Sequence, residues 1–109
     1  MNINLSLDVK EFDEYCIDTY QDNICDCVGI HYIFRFENGY GASVVKSFAS
    51  EGYNKDLWEL AVILFEDEKK LGTDEYILVY PRQIVSDEHV LGYLTDKDVK
   101  NILEKIRNL

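Results

Sequence analysis

What this chain lacks narrows its class before any motif is considered. No run approaches the ~20 consecutive apolar residues that a membrane-crossing helix needs. The opening MNINLSLDVKEF shows neither a basic leader nor an apolar signal core, so the expected setting is a cytoplasm. Cysteine occurs three times, at 16, 25 and 27, an odd and clustered set that suits reduced thiols better than a disulfide framework. Proline occurs once, at Pro81, and there are no repeats, linkers or low-complexity tracts. The 109 residues therefore read as one domain, 1–109, able to bury roughly two-thirds of its unfolded surface. Cations are scarce as well: 11 Lys and Arg stand against 21 Asp and Glu, a formal charge of −10. Such a molecule repels phosphate backbones, which argues against direct nucleic-acid binding. No nucleophile elbow, HExxH or glycine-rich phosphate motif is present, so neither an enzyme nor a cofactor is expected.

What is there is a β-hairpin. Two period-2 apolar stretches in IHYIFRFENGYGASVVKSF, residues 30–48, flank Asn38-Gly39. Both residues tolerate positive φ, which a two-residue type I′ turn requires. That turn predicts the pairs Phe36–Gly41, Phe34–Ser43, Tyr32–Val45 and Ile30–Ser47 on one face. His31, Ile33, Arg35, Ala42, Val44 and Lys46 then occupy the other, with His31 opposite Lys46. Gly39-Tyr40-Gly41-Ala42 is not a phosphate cradle, because strands flank it on both sides.

Asp8 with Glu11 has capping-box spacing, and Val9, Phe12, Tyr15/Cys16 and Thr19/Tyr20 keep helical spacing, which predicts a helix over about 9–22. LWELAVILF reads as an amphipathic helix capped by Asp56 and stopped by Gly72, which local propensity slightly favours, or as a strand covered on both sides. The following TDEYILVYP is a plain strand that needs a neighbour, which favours a second hairpin, 57–66 with about 75–81, turning through DEKKLG. Pro81 ends it, since proline cannot donate to a ladder. Thr95 and Asp98 have capping-box spacing, and Val99, Ile102, Leu103 and Ile106 make the stripe of a closing helix. The expected fold is α+β: a four-stranded antiparallel meander of two hairpins, with an N-terminal helix and a C-terminal helix packed on the sheet.

Candidate functional residues come from charge and aromatic content. Residues 1–27 hold seven acids and one base, whereas residues 95–109 are net +1. The acidic face, chiefly Glu11, Asp13, Glu14 and Asp18, reads either as a solvated surface or as one that steers a protein partner with a basic surface. Of the eight tyrosines, Tyr40 by the turn, Tyr53 in the loop SEGYNKD and Tyr93 before the last helix are the candidates for exposure, where tyrosine serves interfaces. Cys25, Cys27 and His31 are the candidates for metal, although C-x-C with one His matches no common zinc spacing. His89 is expected in solvent within SDEHV.

The stretches NGYGASV (38–44), LWELAV (57–62) and LGYLT (91–95), with the closing helix, resemble a family of small uncharacterised proteins carried by phages and prophages of Gram-positive bacteria. The likeness covers about residues 28–109 and leaves out the acidic N-terminal segment. It brings no catalytic residues. It implies only a setting, a small viral accessory protein in a bacterial cytoplasm. The acidic face and the tyrosines, not the resemblance, give the expected role: a non-catalytic protein that binds a basic or nucleic-acid-binding partner protein, as an inhibitor or anti-defence factor would; the other reading is a small-ligand or metal module built on Cys25, Cys27 and His31.

Overall fold

A computed structural model describes residues 3–66 and 75–109. A 3-10 turn over Lys10–Tyr15 leads into strands β1 (Cys16–Ile24), β2 (Cys27–Arg35) and β3 (Tyr40–Lys46). After a short 3-10 turn at Tyr53–Lys55 come β4 (Trp58–Phe65), β5 (Tyr76–Leu78), β6 (Leu91–Leu94) and the helix α1 (Asp96–Arg107). The fold is α+β, with an antiparallel sheet in the order β1-β2-β3-β4-β5. β4 is shared: its second half pairs with β5 and its first half with β6. The strand reading of 57–66 holds, with Ile63 opposite Leu78 and Phe65 opposite Tyr76. The turn DEKKLG lies outside the described residues.

The N-terminal helix is the main correction. Helical spacing is used only within the 3-10 turn, where Phe12 is buried. From Cys16 the chain extends, and Ile17, Thr19 and Tyr20 are β-branched or aromatic residues that suit a pleated surface. β1 folds back on β2 through Cys25 and Asp26, whose φ values are +53° and +61°. Two left-handed residues between paired strands are what a type I′ turn demands. The turn chemistry expected at Asn38-Gly39 is therefore found one hairpin earlier.

At Asn38-Gly39 only Gly39 takes positive φ, +87°. The Gly39 N–H donates to Phe36 O at 3.1 Å, and the Phe36 N–H donates to Tyr40 O at 2.8 Å. This is a three-residue loop ending in a left-handed glycine, and it moves the register by one. Phe34 faces Ala42, Tyr32 faces Val44, Ile30 faces Lys46, and His31 faces Val45. A slip of one residue exchanges the faces of a strand, so Ala42 and Val44 join Phe34 in the core instead of lying on the opposite side. The reason is tertiary. Asn38 Nδ2 donates to the carbonyls of Ile106 (2.9 Å) and Arg107 (3.1 Å), closing the C-terminal end of α1.

α1 lies over β3, β4 and β6 and buries Val99, Leu103 and Ile106. Its start is as the sequence predicts: Thr95 Oγ1 accepts from the Asp98 N–H at 3.2 Å, and Asp98 Oδ2 accepts from the Thr95 N–H at 3.0 Å. Val9, Phe12, Phe36, Trp58 and Leu60 complete this core. Lys46, expected opposite His31, is buried on the same side. Its ammonium lies 4.2 Å over the Trp58 ring and donates to Asp56 Oδ1 and Asn4 O, each at 2.8 Å. On the other face Ile33, Ile63 and Phe65 are buried although no described helix covers them.

Candidate functional site

Two of the three tyrosines singled out in the sequence meet at one end of the molecule. The loop 47–57 opens with Ser50 bonding back to Ser47: its N–H donates to Ser47 O at 2.8 Å, and its hydroxyl accepts from the Ser47 N–H at 3.0 Å. It then turns at Gly52, φ +100°, and again at Asp56, φ +58°. β6 approaches this loop closely, with the Tyr93 N–H donating to Glu51 O at 3.4 Å. Two glycines permit the approach. A Cβ on Gly52 would lie 3.1 Å from the Tyr93 backbone, and one on Gly92 would lie 2.6 Å from Glu51 Cβ.

Between the loop and β6 lies a cleft of about 410 Å³, lined by Cys27, Phe48, Glu51, Tyr53 and Tyr93 among others. Phe48 is 50% and Tyr93 58% exposed, and Val28 beside them is also exposed. The Tyr53 hydroxyl donates to Val28 O at 3.2 Å; burial, then the Cys27 thiol, push its pKa up. Tyr93 has φ +57°. Left-handed backbone in a bulky residue costs of order 1–3 kcal/mol and persists only where the surroundings enforce it. The strain holds an exposed aromatic ring at the mouth of the cleft.

The face away from α1 carries a second arrangement. Asp22 on β1 reaches over β2 to the residue that follows β3, accepting from Ser47 Oγ at 2.8 Å and lying 2.5 Å from His31 Nε2. It can do so because the intervening residue is Gly29: a Cβ there would strike the Asp22 carboxylate and Ser47. Burial pushes the Asp22 carboxyl up, but the hydrogen bonds from His31 and Ser47 prevail and hold it below the ordinary carboxylate value. Tyr20 stacks on His31, centroids 4.4 Å apart and planes within 8°. Serine, histidine and aspartate are all present, and the carboxylate is the shared partner: Ser47 Oγ donates to Asp22 and His31 Nε2 lies against the same carboxylate, an order unlike the serine–imidazole–carboxylate relay.

The remaining candidates are dispersed. Tyr40 is half-buried on the helix-covered face, opposite Leu64, at the end of the sheet away from Tyr93. Glu11, Asp13 and Glu14 are exposed on the 3-10 turn and Asp18 is exposed on β1, so they share no helix face. Glu11 pairs with Lys100 at 2.8 Å, and that hydrogen bond is the main cause lowering its pKa. Cys25 is exposed in the hairpin turn, whereas Cys27 and His31 stand four residues apart along β2, ~13 Å at the usual rise of a strand. The metal set is therefore not assembled, and among the described residues no group of three His, Cys, Asp or Glu side chains could hold an ion. His89 is exposed, 3.9 Å from Glu51.

Sequence reasoning missed Phe48, Val28 and the Asp22 network. A glycine inside a strand, Gly29, was the available signal for the last, since it marks close approach of another group. No family model, curated protein or solved structure matches this chain.

Proposed function

We propose that this protein is a non-catalytic accessory protein of a phage or prophage that acts by binding another protein with a basic surface, as an inhibitor or anti-defence factor would. One observation carries the binding role: the cleft at Tyr53 and Tyr93, where Phe48 and Tyr93 are exposed and Tyr93 is held in left-handed backbone. Exposed aromatic rings on strained, well-anchored loops are expensive to keep unless another surface covers them. The lopsided acidity of residues 1–27 supports the choice of a basic partner. The resemblance in NGYGASV, LWELAV and LGYLT supports the phage setting.

The test is affinity capture from a Gram-positive host followed by mass spectrometry, then titration of the captured protein against wild type, Phe48→Ser and Tyr93→Gly. Glycine at 93 relieves the left-handed strain while removing the ring. The expected result is an affinity loss of tenfold or more with no loss of thermal stability. Equal affinity for all three proteins would rule the cleft out as the binding surface.

A further inference from the structure

β1 is an edge strand nine residues long, exposed along most of its length, and paired among the described residues only with β2. Ile24 and Cys27 close the two-residue turn as a hydrogen-bonded pair. Antiparallel pairing alternates, so Asp22, Tyr20 and Asp18 spend their backbone groups on β2, whereas Asn23, Gln21 and Thr19 direct theirs outward. The ordinary guards of such an edge are charged side chains, above all lysine, a proline, a bulge or shortness. β1 has no lysine or proline and is not short; its guards are the carboxylates of Asp18 and Asp22 and an irregularity at its start, between Cys16 and Asp18, none of which turns away a cationic strand. It also displays Ile17, Tyr20 and Ile24, each at least 40% exposed.

Charge chooses the occupant. From residue 11 to residue 34 there is no Lys or Arg, and six acids, Glu11, Asp13, Glu14, Asp18, Asp22 and Asp26, lie on or beside the strand. A second copy laid antiparallel along β1 would set Asp18 against Asp22 in the register centred on Tyr20, and in any register would bring two strands of net charge −2 together, which like-charge repulsion disfavours. We propose that the free edge of β1 docks an extended, Lys- or Arg-bearing segment of a partner protein, which adds a strand to the sheet with its apolar residues against Tyr20 and its cations flanking Asp18. This rests on the binding role proposed above and names how the partner is held. Backbone hydrogen bonds supply the attachment, and alternate side chains supply the selection.

The probes are two nine-residue peptides of strand-forming sequence, one with Lys and Val alternating through Thr, the other identical but with Glu for each Lys. Binding is followed by fluorescence anisotropy and by amide hydrogen exchange. The Lys peptide is expected to bind at least tenfold tighter than the Glu peptide and to slow exchange at Thr19, Gln21 and Asn23. Gln21→Pro removes an outward N–H and no ladder bond, so it should keep the fold and weaken the Lys peptide at least tenfold. Asp18→Lys, which touches no ladder bond either, should reverse the preference between peptides. Lys-peptide binding unchanged by both variants, protection confined to other strands, or a wild-type dimer abolished by Gln21→Pro would each overturn the proposal. Because Phe48→Ser and Tyr93→Gly probe the cleft separately, a partner lost on those variants but kept by Gln21→Pro removes the edge alone. Retention on all of them removes the binding role at both surfaces.

Discussion

Lys46 is 3% exposed at its side chain and Asp56, which accepts from it at 2.8 Å, is 38% exposed. Truncating one partner of a fully buried ion pair costs about 3–5 kcal/mol, because a charge is left without compensation. Here the figure is smaller. Asn4 O and the Trp58 ring still face the ammonium after Asp56→Ala, and the lost carboxylate was partly screened by water. The expected cost is about 2 kcal/mol, a fall in Tm of roughly 8 °C for a chain of this size. Lys46→Met keeps the stem over Trp58 and removes the charge that needs a partner, so it should cost less than about 1 kcal/mol. The pH dependence follows from Asp56. Burial pushes its carboxyl up, but the hydrogen bonds from Lys46 and the Asn4 N–H outweigh burial and hold it below the ordinary value. A folded-state pKa below the unfolded one gives stability that is complete above about pH 4–5 and is lost as the pH falls through the folded value. Urea denaturation of wild type, Asp56→Ala and Lys46→Met at pH 7 and pH 3 measures all of this. If Lys46→Met proves more destabilising than Asp56→Ala at pH 7, the pair is not what holds Lys46 in the core.

Three further outcomes are expected. A Cβ at Gly39 would make only ordinary van der Waals contact, with Leu64 Cδ1 at 3.9 Å, so the cost of Gly39→Val, about 1–3 kcal/mol, comes chiefly from backbone strain at φ +87° and is read from thermal melts; an unchanged midpoint would contradict the left-handed loop. Asn38→Ala frees the carbonyls of Ile106 and Arg107 and should cost about 1–2 kcal/mol, with the loss of amide-exchange protection concentrated in the last turn of α1 and at the 36–40 hairpin. Zinc in tenfold excess over reduced protein should leave Tm unchanged, because Cys25, Cys27 and His31 are spread along a hairpin; a rise of several degrees would mean that the N-terminal hairpin rearranges around the ion.

How much of this was legible differs from element to element. α1 could be read outright, since its capping box and apolar stripe lie within 12 residues, Thr95 to Ile106, and act through contacts a few positions apart. The 57–66 strand was legible only through its neighbour, because LWELAVILF satisfies both periods and is decided by what pairs with it. The N-terminal segment misled because Val9, Phe12, Tyr15 and Cys16 keep helical spacing just long enough to form a 3-10 turn, while the β-branched residues beyond pair with a strand that local pattern does not identify. The candidate site was legible as single residues, Tyr53 and Tyr93, but not as a cleft, since Phe48, Gly52 and Gly92 matter only once β6 lies against the 47–57 loop.

The sequence by itself determined the class of fold, the existence of the 30–48 hairpin, the closing helix and the acidity of the first 27 residues, because each follows from local period, local capping or simple charge. Tertiary structure alone decided the register of that hairpin. Asn38 can serve a type I′ turn or can reach the carbonyls of Ile106 and Arg107, and only the packing of α1 on the sheet, by burying Ala42 and Val44 beside Phe34, selects the second. A one-residue choice in a strand is worth a whole face of side chains, and local propensity is nearly indifferent to it.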